Sequence, residues 1–127
     1  IVDGKHVDFE VVKLVYKIMK DRLFLITDAV TACAVGPYQH RLDGDQYVTS
    51  DGTLSGSNIT LLRALKNCVD KCDIPLKDAL KMASQNPAQV IGMSDKIGRI
   101  EVGYESNIIF VNKEMQLEKV LCAKRNN

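Results

Sequence analysis

Asp28 follows the apolar run Leu23-Phe24-Leu25-Ile26-Thr27 directly, in Thr27-Asp28-Ala29. In parallel α/β folds the C-terminal ends of strands build the active site. A carboxylate there can ligate a metal or act as a general base. Position alone leaves open a loop-forming or helix-capping Asp. His6 stands in the same relation to Ile1-Val2-Asp3-Gly4, so the two polar side chains would face one site from neighbouring strand ends. A lone His is as readily a surface or satisfied core residue, and His40, beside a turn-rich stretch, is read as surface. The third candidate is Asp51-Gly52-Thr53-Leu54-Ser55-Gly56-Ser57. Its small residues let backbone N–H groups approach a ligand, and it leads into a helix N-terminus, which favours anionic or polar groups. It is not a P-loop, since no Lys follows and the glycine spacing is wrong. Its plain alternative is a loop with a Ser cap.

These residues need elements to position them. Asp8 can cap a helix whose apolar residues Val11, Val12, Leu14, Val15, Ile18 and Met19 recur with a 3.6-residue period. Leu23 to Thr27 reads as a strand buried on both faces. With Ile1-Val2 as the end of a preceding strand, this is one βαβ unit. A natural domain seldom starts inside a strand, so the expectation is a chain cut from a longer one. A hairpin is expected over 42–48 with its turn at Asp43-Gly44. Helices are expected from Asn58 to Lys71, from Ile74-Pro75 to Ser84, and from Asn86-Pro87 to a cap at Gly92. β structure should follow at Gly98-Arg99-Ile100, Ser106 to Val111 and Met115 to Cys122, ahead of a frayed tail at Lys124 to Asn127.

Composition narrows the field. The 127 residues carry 17 basic and 16 acidic side chains, a formal net charge of +1, and no Trp, so neither an electrostatic footprint for nucleic acid nor base-stacking platforms are present. No apolar run approaches the roughly 18–20 residues that span a bilayer. Cys33, Cys68, Cys72 and Cys122 form neither a CxxC pair nor a disulfide framework, and read as reduced thiols of a cytoplasmic protein. With two His, no HxH and no HExxH, side chains of this chain alone build no metal site.

Taken in order, the motifs resemble the N-acetylglucosamine-6-phosphate deacetylase family. Asp3-Gly4-Lys5-His6-Val7-Asp8 resembles its DGxHVD element, Thr27-Asp28-Ala29 its TDA, and Gly52-Thr53-Leu54-Ser55-Gly56-Ser57 its GTLSGS loop. Asn86-Pro87-Ala88 and Gly98-x-Ile100-x-x-Gly103 resemble an ending shared across amidohydrolases. The resemblance implies the C-terminal portion of a (β/α)8 TIM-type amidohydrolase barrel over residues 1–95, then the C-terminal strands of a small β-sandwich domain over 96–127. It implies hydrolysis of the N-acetyl group of N-acetylglucosamine 6-phosphate to glucosamine 6-phosphate and acetate. In that role Asp28 takes a proton from metal-bound water and passes it to the leaving amine. His6 contacts the phosphosugar, and Leu54, Ser55, Gly56 and Ser57 line its pocket. A divalent metal ion, zinc or similar, is implied, with its Glu and two His ligands upstream of this chain, so that the chain alone is inactive. A homodimer is also implied. The usual GkxAD ending of the amidohydrolase superfamily reads Gly103-Tyr104-Glu105-Ser106-Asn107 here, a departure that weakens a generic amidohydrolase match but touches no catalytic role. Two alternatives stand beside this reading: another metal-dependent amidohydrolase, dihydroorotase- or deaminase-like, and a non-catalytic α/β domain.

Overall fold

The structure is a computed structural model and describes residues 1–123, so the expected fraying of Lys124 to Asn127 lies outside the described residues. The helix expected after Asp8 forms as α1, Phe9–Met19, with the Asp8 carboxylate accepting the Glu10 N–H. A 3₁₀ turn, Lys20–Arg22, ends it. Strands β1, Arg41–Asp43, and β2, Gln46–Val48, pair antiparallel with Asp43 opposite Gln46, so the two-residue turn is Gly44-Asp45, one position later than expected. Gly44 takes the positive φ of 63° that such a turn requires.

Three helices follow. α2, Leu61–Cys72, starts three residues later than expected, because the Thr60 hydroxyl caps it by accepting the Arg63 N–H at 3.2 Å. α3, Leu76–Ala83, and α4, Gln85–Val90, match the Pro-marked expectations, and Gly92 lies two residues past α4 with φ 70°. Strands β3, Ile108–Val111, and β4, Leu117–Leu121, form a second antiparallel pair. No strand forms at Gly98 to Ile100. Gly98, at φ 89°, turns tightly against α4, where a Cβ would lie 2.9 Å from the Ser84 carbonyl oxygen.

The core sits on α2. Ala64, Leu65, Cys68 and Cys72 meet Val12 of α1, Ala79 and Met82 of α3, and Ile74 between the helices. Val2, Leu25 and Ile59 complete it from the non-helical segments.

The expected strand over Leu23 to Thr27 is corrected by the structure. Leu25 is buried and its neighbours Phe24 and Ile26 are exposed, so the run alternates and one face is bare. Ile1-Val2 carries no strand either. A strand exists through its ladder, and among the described residues 23–27 finds a helix instead. The Leu25 N–H donates to the Met82 carbonyl at 2.9 Å, and the Asn86 amide donates to the Leu23 carbonyl at 2.7 Å. The Val2 carbonyl is held in the same way by the Asn67 amide at 2.8 Å. The molecule is thus α/β, with helices around one core and two small antiparallel sheets.

Candidate functional site

Gly56 explains how the loop and the catalytic candidate come together. The loop runs parallel to the segment after Thr27, with Ala29 bridged to Ser57. A Cβ at Gly56 would stand 2.4 Å from Val30 Cγ1 and 2.7 Å from the Asp28 carbonyl oxygen, so only glycine fits. The Ser57 N–H donates to the Asp28 carbonyl at 2.7 Å, and the Val30 N–H donates to the Ser57 carbonyl at 3.0 Å. The Ser57 hydroxyl donates to the Thr27 carbonyl at 2.5 Å.

Asp28 emerges from this seam with φ 49°, the left-handed region that Asp tolerates better than most residues. It is exposed, and its carboxylate makes no hydrogen bond among the described residues. Backbone bonds fix it while its oxygens stay free, which is what a proton-transferring carboxylate needs.

His6 is brought to the same loop. Its Nδ1 lies 2.6 Å from Asp3 Oδ2, and its Nε2 lies 2.7 Å from the Ser55 carbonyl oxygen. Burial, the largest single influence on the ring, lowers its pKa. The Asp3 hydrogen bond, the Ser55 carbonyl and the charges of Asp3 and Asp28 outweigh it, so the pKa is raised. Burial likewise pushes Asp3 up, but the Lys5 and His6 N–H groups and the His6 ring outweigh it and hold the carboxyl below its usual range. Lys5 pairs with Asp45, tying this turn to the first hairpin.

His40, expected at the surface, is half-buried, with Nδ1 2.6 Å from the Ser55 hydroxyl. Ser57 is 1% exposed and its hydroxyl donates to the Thr27 carbonyl, so it ties the loop to the Asp28 segment at the wall of the cleft beside His6. Leu54 is exposed, and Ser55 and Gly56 are half-buried. A cleft of about 530 Å³ opens beside His6, between the Asp3 turn, the first hairpin and α2, and includes Lys5, Asp45, Arg63 and Lys71 in its walls. Asp28 is not among its lining residues. Sequence reasoning missed Asp3 as a partner of His6. Its spacing of three residues before a His, across a glycine turn, was the available signal.

Among the described residues no group of three or more His, Cys, Asp or Glu could hold a metal ion, so the chain does not itself fit the metal that the resemblance implies. The cysteines are free, and burial pushes the Cys68 thiol up to about 12, which leaves it unreactive. No helix among the described residues is long and apolar enough to cross a membrane.

With the fold and the Asp28 seam defined, the class follows: the amidohydrolase family profile matches residues 21–125, and the chain belongs to the amidohydrolase family. Within that family it is similar to the N-acetylglucosamine-6-phosphate deacetylase of Vibrio furnissii, at 33% identity over 126 residues, covering 94% of this chain and 32% of that protein. It is similar to the N-acetylgalactosamine-6-phosphate deacetylase of Escherichia coli O157:H7 at 26% identity, over 94% of this chain and 34% of that protein. The crystal structure of N-acetylglucosamine-6-phosphate deacetylase from Pasteurella multocida superposes with a TM-score of 0.89 at 30% identity, covering 95% of this chain and 34% of that one. The amidohydrolase family implied by the motifs is therefore found, and these relatives are amino-sugar-phosphate deacetylases of the kind that the motifs resemble. The chain spans about a third of the length of these relatives.

Proposed function

We propose that this chain supplies the proton-transfer side of an N-acetylglucosamine-6-phosphate deacetylase, with Asp28 as its catalytic carboxylate. The observation that carries this is the Asp28 seam: a free carboxylate on a left-handed residue, fixed by the Gly56-Ser57 loop. Asp28 takes a proton from the attacking water as the water oxygen bonds to the acetyl carbonyl carbon. It then returns that proton to the amide nitrogen as the C–N bond breaks, giving acetate and the free amine. Amide nitrogen leaves poorly unless protonated, so one carboxylate serving both steps suits the reaction. Leu54, Ser55, Gly56 and Ser57 line the sugar pocket, and His6 contacts the substrate beside them.

Residues 1–95 correspond in this proposal to the C-terminal part of a (β/α)8 barrel, and 96–127 to strands of a small β domain. The divalent metal takes its ligands from residues outside these 127, so the chain alone is inactive. The free cysteines favour a cytoplasmic enzyme, and a homodimer completes the proposal.

The test is Asp28→Asn in the complete enzyme, with acetate release measured on N-acetylglucosamine 6-phosphate. Asn also tolerates the left-handed backbone, so the fold should survive while turnover falls by about 10²- to 10⁴-fold. Unchanged turnover in a folded variant removes Asp28 from the mechanism. Preference for N-acetylgalactosamine 6-phosphate would reassign the sugar, and turnover of cyclic amides instead would reassign the reaction within the family.

A further inference from the structure

The first hairpin holds Ser55 at two points. The Ser55 N–H donates to the Tyr47 carbonyl of β2 at 2.8 Å, and the Ser55 hydroxyl lies 2.6 Å from Nδ1 of His40, the residue just before β1. The hairpin is anchored where it does so: Tyr47 and Val48 are buried, and Val48 is bridged to Leu54. His40 is fixed in turn by its own backbone. It exchanges two bonds with Cys33, the His40 N–H donating at 2.9 Å and the Cys33 N–H at 3.0 Å. Cys33 lies on the stretch that leaves Asp28, which Ala29 and Val30 tie to Ser57. These contacts close a circuit. It runs from Asp28 along the chain to Cys33, across to His40, through the ring to Ser55, along the loop to Ser57, and back through the Ser57 N–H to the Asp28 carbonyl. The His40 ring is the side-chain link of that circuit. A serine hydroxyl both donates and accepts, so it can meet Nδ1 in either tautomer of the ring.

We propose that His40 is a positioning residue for the deacetylation: held by Cys33, its ring sets Ser55, and with it the Ser55-Gly56-Ser57 loop that lines the sugar pocket. The inference deepens the deacetylase reading and rests on it for its catalytic part. His40 touches no reacting atom in this role and acts through Ser55. Freeing the Ser55 hydroxyl slackens the pocket wall, while the backbone bonds of Ser57 to Asp28 and Val30 stay in place. The loss therefore falls on sugar binding in the ground and transition states alike, which raises KM and leaves kcat little changed.

Because Nδ1 is the ring nitrogen that faces Ser55, the variants can be chosen by reach. Asn carries its amide nitrogen on Cγ, as His carries Nδ1, so His40→Asn keeps a polar atom in place. Gln sets its polar atoms one carbon further out, and Phe keeps a ring with none. In the complete enzyme, His40→Phe and His40→Gln should raise KM for N-acetylglucosamine 6-phosphate about three- to tenfold, the worth of one hydrogen bond. His40→Asn should return KM towards the natural value. Ser55→Ala removes the same bond from the other side and should raise KM too, and adding His40→Phe to it should cost nothing more. Amide exchange at Ser55 and Ser57, read without turnover, should quicken about three- to tenfold in His40→Phe. Unchanged exchange in a folded His40→Phe overturns the proposal. So do a fall in kcat at unchanged KM, an Asn variant as impaired as Phe, and effects of His40→Phe and Ser55→Ala that multiply in the double variant. If His40→Phe fails to fold, His40→Gln takes its place in each comparison. Quickened exchange together with no deacetylation by the unaltered enzyme would sink the enzymatic reading and leave the hold of His40 on Ser55 standing.

Discussion

At the scale of single residues the site depends on a missing atom. Gly56 has no Cβ, and that absence lets the loop lie against Val30 and the Asp28 carbonyl. Gly56→Ala should therefore destabilise the fold by about 1–3 kcal/mol, the usual cost of overpacking, and reduce turnover further by displacing Asp28. Urea unfolding checks the first part and acetate release the second; an alanine variant of full stability would mean that the loop can shift freely. His6 and Asp3 make a second residue-scale prediction, about pH. The folded His6 pKa is raised, so its contribution is complete below the ordinary value of 6.5 and is lost as pH rises through the raised folded value. The folded Asp3 pKa is lowered, so its contribution is complete above the ordinary value of 3.8 and is lost as pH falls through the depressed one. The stability difference between the natural chain and His6→Gln should thus be greatest between those two ordinary values and shrink on both sides. A difference that stays flat from acid to alkaline pH would contradict the pairing.

At the scale of elements, side-chain amides do what a sheet would otherwise do. Asn86, 4% exposed, holds the Leu23 carbonyl, and Asn67, 8% exposed, holds the Val2 carbonyl. Asn86→Ala should cost about 1–3 kcal/mol, because a carbonyl near the core loses its donor, and should loosen the segment leading to Asp28. Thermal unfolding reads the first effect, and amide exchange at Leu25, whose N–H bonds Met82, reads the second. A loss within a few tenths of a kcal/mol (surface-mutation scale) would mean that water replaces the amide. The helices were legible in the sequence because period, caps and prolines are local signals: Asp8, Pro75 and Gly92 all mark ends that form. The segment 23–27 was misread as a strand buried on both faces because its apolar content reports a preference for burial, whereas a strand needs neighbours that sequence does not name. The bonds of Asn67 and Asn86 to backbone carbonyls escaped the sequence reading for a related reason. An Asn in a helix reads as a solvated residue until the fold turns it towards an unpaired carbonyl. Asp28 and the Gly56 loop were legible because their chemistry and their backbone demand coincide, while the burial of Ser57 and the contact of His40 with Ser55 depend on tertiary approach alone.

At the scale of the whole molecule, the apolar surface exceeds what the core absorbs. Helix α1 is apolar on two faces: Val12 packs inward, while Val11, Leu14 and Ile18 stand 48%, 56% and 65% exposed along the other. Phe24 and Ile26 are bare beside the site, and Ile109, Phe110, Val120 and Leu121 are exposed on a hairpin of only two strands. Exposed apolar faces of this kind drive association, and unpaired strand edges template it. The 127-residue chain should therefore self-associate, its weight-average mass in sedimentation reaching about double the monomer value or more, as pairing two copies requires. Leu14→Glu with Ile18→Lys places opposite charges four residues apart on the exposed face of α1, where they can pair along the helix. That double variant should shift the distribution towards monomer without loss of helix content by circular dichroism, since neither residue belongs to the core cluster. A natural chain that sediments as a stable monomer at high concentration would show that these faces are compatible with water. Association that survives the double variant would move the contact from α1 to the Phe24 face or the β3–β4 hairpin, and Phe110→Lys would then separate those two.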